Sequence, residues 1–390
     1  MRFKGLKFGI PKEIIPGERR IAVIPEIAKR MISEGAEVLV ESEAGEGAGF
    51  SDADYVSVGV DIVKGVEDLF NQADVILKVK EPQFNTELQK HEVELMHEGQ
   101  VLITFLHPAA PDNHEMIQNL ADRGVIGFTL DSIPRITRAQ TMDALTSMST
   151  VAGYKSILVA ADRLPKFIPM ITSAVGTSPP AEAFVVGAGV AGLQAIATAK
   201  RLGAKVRAVD VRPEASEQAK TLGAEIVDSQ VPDDVAVGEG GYAKQLPEDW
   251  LVKERQAIRD AVVRSDMVIL TALVPGKQAP ILVTSDMVED MKPGSVIVDV
   301  SIDQGGNCEL TVGGKTIEKF GVTVDGTKNL PGLVPRSSTS MFSKNIHNFV
   351  ANLIEDGTVQ LDKDDEIVAE SIVTRDGQVV HAGAREAMGI

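Results

Sequence analysis

The chain has 390 residues, 44% of them hydrophobic, and its 56 acidic against 39 basic side chains give a net charge of −17. That balance excludes nucleic acid or an anionic lipid surface as a direct partner. The single cysteine, Cys308, excludes an internal disulfide framework and fits a reducing compartment. The six histidines are scattered and none pair at metal-ligand spacing, so no metal site is expected. No apolar run is long enough to span a membrane, and the N-terminal MRFKGLKFGIPKE lacks the apolar core of a signal peptide.

Short apolar runs alternate with helical patterns along the chain, which predicts an α/β protein with parallel sheets wrapped by helices. In chain order, strands are expected at 7–10, 37–41, 75–79, 101–104 and 125–127, with helices at 25–34 and 112–123. Three polar features fall at the ends of such strands: Arg20 in GERRIAVIP, Lys78 and Lys80 in ILKVKEP, and His107 in ITFLHPAAP. Ligands are handled at the C-terminal ends of strands in open α/β sheets, where an Arg suits a carboxylate and a Lys or His moves protons beside a carbonyl. The plainer alternative is a Lys80–Glu81 pair and a loop-capping His107. The segment 134–154, PRITRAQTMDALTSMSTVAGY, is polar and connects two halves of the chain. Arg135, Gln140, Asp143 and Thr146 suit a cleft between domains, or else a capped connector helix with an Arg–Asp pair.

After a Pro-rich break at 177–182, a strand at 183–186 leads into FVVGAGVAGLQAIATAKRLGAKVRAVD. Strand, Gly187-x-Gly189-x-x-Gly192, helix, second strand and a terminal acid are all in place for a dinucleotide site. Gly187 permits a tight turn, Gly189 lets backbone approach a pyrophosphate, and Gly192 lets helix and strand pack closely. The helix start at Val190 and Ala191 offers N–H groups and a positive dipole to phosphate. Asp210 favours the 2′-hydroxyl of NAD over the 2′-phosphate of NADP, with Arg212, beside Val211, as a counter-signal. Strands are expected near 206–209, 267–270, 296–300 and 322–325. The loop LTALVPGKQAP places Thr271, Ala272 and Leu273 on the nicotinamide side, and SIDQGGN places Asp303 near the same edge. The Gly- and acid-rich stretch 235–249 is expected to be an exposed mobile loop or lid carrying Tyr242. A helix with Phe342, Ile346, Phe349, Val350 and Leu353 on one face is expected after a Ser337 or Ser338 cap, followed by a hairpin of 367–373 and 378–381 about Asp376–Gly377. Two Rossmann-like domains result: 1–135 completed by 335–390, and a nucleotide domain over 140–330.

These segments resemble, over essentially the whole chain, the alanine dehydrogenase and transhydrogenase NAD(H)-domain superfamily: GIPKE, ERRIAV, LKVKEP, TFLHPAA, VVGAGVAGLQA, LVPGKQAP, MKPGSVIVDVSIDQGGN and LPGLVPRSST stand in order. RITRAQTMDALTS, DVRPEASEQAKTLGAE and GEGGYAKQL make the chain more similar to the NAD(H)-binding components of proton-translocating NAD(P) transhydrogenases. The resemblance implies that Arg135, Gln140, Asp143 and Thr146 flank the nicotinamide, that Asp210 and Arg212 contact the adenosine, and that Tyr242 belongs to a mobile loop touching nucleotide. The family usually has Ser at the Thr146 position and Gln at the Met148 position. The resemblance also implies NADH as cofactor and a membrane-embedded NADP(H)-binding transhydrogenase subunit as partner. It further implies direct hydride transfer coupled to proton translocation, a homodimer, and a cytoplasmic place at the membrane held through that partner. Arg20, Lys80, His107 and Asp303 match the substrate-handling residues of alanine dehydrogenase. A stand-alone NAD-dependent alanine dehydrogenase and a non-catalytic NAD-binding sensor are the alternative functions.

Overall fold

In the computed structural model, which describes residues 1–238, 243–274, 277–362 and 364–390, the chain divides into two compact units. One comprises Met1–Met148 and Gly332–Ile390, the other Ser149–Pro331.

Apolar runs bounded by turns give the first unit its strands: β1 (Lys7–Ile10), β2 (Glu37–Glu41), β3 (Asp61–Val63), β4 (Val75–Leu77), β5 (Val101–Thr104) and β6 (Ile126–Thr129). Helix α1 (Pro25–Ser33) follows β1, with Pro25 in its first turn, where a missing N–H costs nothing. It buries Ile27, Ala28 and Met31 at helical spacing. Helix α2 (His114–Asp122) precedes β6, and the expected start at 112 is instead a separate 3₁₀ turn, Pro111–Asn113.

Helix α3 (Ala144–Arg163) contains the boundary between the units. Residues 140–148, expected to open the nucleotide domain, belong to the first unit. The Asn345 and Asn348 side-chain amides hold them there by donating to the Thr141 carbonyl, at 2.9 and 3.1 Å.

The second unit continues with a small hairpin, β7 (Ile171–Ser173) and β8 (Gly176–Ser178), where the sequence suggested only a break. Then come β9 (Glu182–Val186), α4 (Val190–Arg201), β10 (Lys205–Val209), α5 (Pro213–Thr221), β11 (Glu225–Ile226), α6 (Glu248–Arg264), β12 (Met267–Leu270), β13 (Val296–Asp299), β14 (Thr316–Lys319) and β15 (Val322–Asp325). Its sheet has the order β11-β10-β9-β12-β13-β15-β14, parallel except for β14. The stretch expected to lack core packing is not bare loop. A short helix, Asp233–Ala236, and a Val237–Ala243 bridge gather Val231, Ala236 and Leu246 into a small apolar cluster. Tyr242 lies outside the described residues.

The chain then completes the first unit with α7 (Pro335–Leu353), α8 (Glu366–Ser371), β16 (Ile372–Arg375) and β17 (Gln378–Val379). Helix α7 starts two to three residues before the expected serine caps, because Pro335 takes the first helical position. Ser338 is inside the helix, its hydroxyl donating back to the Val334 carbonyl at 2.8 Å. The apolar face of α7 enters the main core, with Phe349 edge-on to Phe128 at 5.9 Å. Residues 367–371 are helix rather than strand: Asp365 caps α8 by accepting from Ile367 N at 2.9 Å. The expected hairpin about Asp376–Gly377 forms from 372 onward, both turn residues having positive φ. The first sheet has the order β17-β16-β6-β5-β4-β1-β2-β3, parallel from β6 to β3 and antiparallel where β16 joins β6.

Candidate functional site

In the second sheet the chain runs outward from β9 through β10 to β11, then returns to β12 on the other side of β9 and proceeds to β13. The C-terminal ends of β9 and β12 therefore flank a topological switch point, the place where such sheets bind ligands. The three fingerprint glycines sit there and do different things. Gly187 has φ +87, and a Cβ on it would meet Ala272 N and Thr271 Oγ1 at 2.9 Å. A Cβ on Gly192 would lie 1.9 Å from the Gly187 carbonyl oxygen, so α4 packs directly on the turn. Gly189 differs: a Cβ there meets only Arg212 Nη2, at an ordinary 3.8 Å. The fold requires glycine at 187 and 192, whereas at 189 it leaves backbone open to a ligand. Val190 and Ala191 form the first turn of α4, and Gly153 of α3 lies against Ala191, because a Cβ on Gly153 would strike the Ala191 carbonyl oxygen at 2.0 Å.

Opposite the turn, the Thr271 hydroxyl donates to the Gly187 carbonyl at 2.8 Å. Ala272 is fixed by Asn307, which accepts from its N–H at 3.0 Å and donates to its carbonyl at 2.9 Å. Leu273 is 41% exposed. Asn307 is fully buried and also donates to the Pro280 carbonyl. Buried Asp299 gathers the N–H groups of Asn307 and Cys308 and the Thr311 hydroxyl. Burial holds Asp299 above the usual carboxylate range in spite of these donors. Asp303 is exposed on a 3₁₀ turn, Val300–Gln304. Sequence reasoning missed Asn307 and Asp299, although SIDQGGN carries the asparagine.

Asp210 follows β10 directly and is saturated by the protein itself. Its Oδ2 accepts from Ala188 N at 2.7 Å and from Arg212 Nη2 at 2.8 Å; its Oδ1 accepts from Arg212 N and Nε, both at 2.9 Å. Arg212 thus lies on Asp210 in a forked ion pair, and Val211 between them packs, like Trp250 and Leu251 of α6, on the cluster of Val231, Ala236 and Leu246.

In the first unit the 3₁₀ turn Thr137–Met142 leads into α3. Asp143 caps that helix: its Oδ1 accepts from Thr146 N at 2.7 Å and its Oδ2 from the Thr146 hydroxyl at 2.6 Å. The structure therefore brings Asp143 and Thr146 together, while Arg135 and Gln140 are exposed on the approach to them. Arg138 of this segment donates through both terminal guanidinium nitrogens to Asp365.

The first sheet has its own switch point between β1 and β4, and charged groups converge on it. Arg20 is buried, its guanidinium forked onto Glu18 at 2.6 and 2.8 Å and donating to Met148 Sδ at 3.1 Å. Lys78 is a buried ion-pair centre, 2.9 Å from Glu92 and 3.5 Å from Glu13. Burial lifts Glu13 to about 7 against the pull of Lys78. Lys80 is half-buried, its N–H turned to Glu13. His107 has φ +46, a strained left-handed backbone, and its Nδ1 is 2.8 Å from Asp131, with Glu81 3.9 Å from its Nε2. Burial works against the imidazolium, but the charge and hydrogen bond of Asp131 outweigh it and raise His107. Burial likewise works against the Asp131 carboxylate, which His107 and the Thr129 hydroxyl nonetheless hold at about 2.

Two parallel-sheet units, one with a glycine turn and an acid at its switch point, define a Rossmann-like nucleotide-binding protein. The family model described as "Alanine dehydrogenase/PNT, N-terminal domain" matches residues 9–152, and the one for the C-terminal domain matches residues 156–382. A relative from Rhodospirillum rubrum, named as the first part of NAD(P) transhydrogenase subunit alpha, is 42% identical over 96% of this chain and 98% of its own. An alanine dehydrogenase from Halomonas elongata is 35% identical over 99% of this chain and 97% of its own. The crystal structure of a transhydrogenase from Sinorhizobium meliloti superposes with a TM-score of 0.84 at 38% identity, covering 96% of this chain and 100% of that one. The chain belongs to the alanine dehydrogenase/PNT family. Among the described residues no helix is long and apolar enough to cross a membrane, and no cluster of metal-ligating side chains occurs.

Proposed function

We propose that this chain is the NAD(H)-binding component of a proton-translocating NAD(P)⁺ transhydrogenase, an oxidoreductase. It passes a hydride from NADH to NADP⁺ held on a membrane-embedded partner subunit, through which protons move. The observation that carries the reading is the glycine turn at the switch point, tight where the fold demands it and open at Gly189 where a pyrophosphate needs backbone. The likeness to transhydrogenase alpha subunits supports the same assignment. Bound NADH supplies the hydride. Gly187, Gly189, Val190, Ala191 and Gly192 cradle its phosphates, Asp210, Val211 and Arg212 meet the adenosine, and Thr271, Ala272 and Leu273 lie on the nicotinamide side. Arg135, Gln140, Asp143 and Thr146 position the ring, and Tyr242 closes on the nucleotide. Transfer between two nicotinamides calls for apposed rings and excluded water rather than an acid or base. Arg20 supports this over an amino-acid substrate, because its fork is engaged by Glu18. Assembly as a homodimer is part of the proposal, and the β7–β8 hairpin with the segment leading into it offers apolar side chains for it, Phe167 and Met170 being 60% and Val175 of the hairpin turn 99% exposed.

The second reading, an alanine dehydrogenase, is favoured by one observation, the His107–Asp131 pair at a strand end. One experiment separates the two. The purified chain is mixed with the NADP(H)-binding domain of a transhydrogenase, and transfer from NADH to thio-NADP⁺ is followed. L-Alanine with NAD⁺ is assayed without the partner. Partner-dependent transfer is expected; alanine turnover by the chain alone overturns the proposal.

A further inference from the structure

An acid at the end of the second Rossmann strand repels the 2′-phosphate of NADP. Here Asp210 cannot do so alone, because the Arg212 guanidinium rests on the carboxylate and the pair carries no net charge. An arginine in this place is also the residue type that grips a 2′-phosphate. Taken alone, Asp210 and Arg212 do not discriminate between the two nucleotides.

A second carboxyl stands behind them. Glu254 is on α6 and only 4% exposed, sharing the buried face of that helix with Ile258, Ala261 and Val262. One turn earlier, Trp250 and Leu251 pack in one apolar cluster with Val211, the residue after Asp210. The start of α6 and the acid-bearing turn thus share one small cluster, built on Val231, Ala236 and Leu246. Burial and then the charge of Asp210 push Glu254 up to about 7, with Arg255 pulling the other way. Arg255 offers little compensation, since its guanidinium is committed to Glu248 and to the Ile281 carbonyl. Among the described residues no salt bridge reaches Glu254.

We propose that Glu254 sets the preference for NAD(H) over NADP(H), as the acid near the adenosine ribose that Arg212 leaves uncompensated. The inference rests on the nucleotide site proposed above. Its physical content is a division of labour. The Asp210–Arg212 pair orients the turn, each holding the other, and the Ala188 N–H fastens the loop to it. The unpaired charge, in a site shielded from water, then decides against a phosphate, because charge acts strongly where the medium is poorly polarisable. A ribose hydroxyl brings no charge and is not penalised.

The test uses the full chain at pH 8, where Glu254 is ionised, and measures NADH and NADPH affinities by calorimetry. Glu254→Gln keeps the shape and removes the charge. It is expected to tighten NADPH binding by about tenfold while NADH affinity stays within about twofold. Arg212→Gln is the second arm: with Asp210 no longer neutralised, NADPH should bind at least about tenfold more weakly relative to NADH. An unchanged NADPH-to-NADH ratio in Glu254→Gln, or a ratio shifted toward NADPH in Arg212→Gln, overturns the proposal. Failure of the unaltered chain to bind NADH at all refutes the nucleotide site itself, and so is a distinct result.

Discussion

Gly189→Ala and Gly192→Ala add the same methyl group three residues apart, and the structure predicts opposite consequences. At 192 the new carbon would lie 1.9 Å from the Gly187 carbonyl oxygen and 2.9 Å from its carbon. Restoring even a tight contact of 3.0 Å moves α4 off the turn by roughly 1 Å, a strain of about 1–3 kcal/mol. The better helix propensity of alanine returns up to about 1 kcal/mol. A modest net loss of stability therefore accompanies a displaced phosphate turn. At 189 the nearest atom is Arg212 Nη2 at 3.8 Å, and φ is an ordinary −74°. Folding should be unaffected, within about 0.5 kcal/mol. If the pyrophosphate lies against this backbone, however, the methyl occupies its place, and NADH affinity should fall by about 5- to 150-fold, equivalent to about 1–3 kcal/mol of overpacking. Urea unfolding and NADH titration of both variants decide the matter. A Gly189→Ala protein with full stability and unchanged NADH affinity would refute the assignment of this turn to phosphate.

Three further outcomes are expected. Asp143→Ala removes the cap of α3 and should cost about 0.5–2 kcal/mol in chemical unfolding, while Asp143→Asn, which retains an acceptor, should lose much less. Arg135→Ala and Gln140→Asn should slow hydride transfer to partner-bound thio-NADP⁺ far more than they weaken NADH binding; equal losses would mean that this segment only holds cofactor. His107 is raised in the folded state, so its contribution to stability is full below about pH 6.5 and is lost as pH rises through the folded value. Asp131 is depressed from 3.8 to about 2, so its contribution is present above 3.8 and is lost as pH falls toward 2. The stability difference between the unaltered chain and His107→Gln should therefore shrink as pH rises above about 6.5; a flat difference contradicts the pairing.

Periodicity and turn chemistry carried much of the architecture. Lys7–Ile10, Glu37–Glu41 and Met267–Leu270 are strands where apolar runs predicted them, and the Asp376–Gly377 turn forms from its dipeptide. The errors arose where two local signals competed. The run 367–371 is apolar enough for a strand, yet the Asp365 cap directs it into a helix. Ser337 and Ser338 resemble caps, yet Pro335 opens the helix ahead of them. In the site, the residue types at the glycine turn were legible because each answers to nearby backbone. The pairings were not. Arg20 meets Met148 across 128 positions and Lys78 finds Glu92 and Glu13 on separate segments, distances over which a one-dimensional pattern holds no record. The Met148 sulfur accepts a hydrogen bond from Arg20, so the position supplies a weak acceptor. Glu254 was overlooked because a lone glutamate in a charged helix looks like solvated surface.

The seam between Ile126–Thr129 and Ile372–Arg375 bears on how the molecule emerges during synthesis. Thr374 ties to Gly127 across 247 positions, and everything between them, including the entire second unit, is translated first. The nucleotide unit is contiguous and can condense as soon as it clears the ribosome. The first sheet meanwhile waits with the edge of its sixth strand unpaired, a template for mispairing with neighbouring nascent chains. Chaperone demand should accordingly track the delay before residues 372–379 arrive, so slowing translation within 149–331 should lower soluble yield more than slowing it after 379.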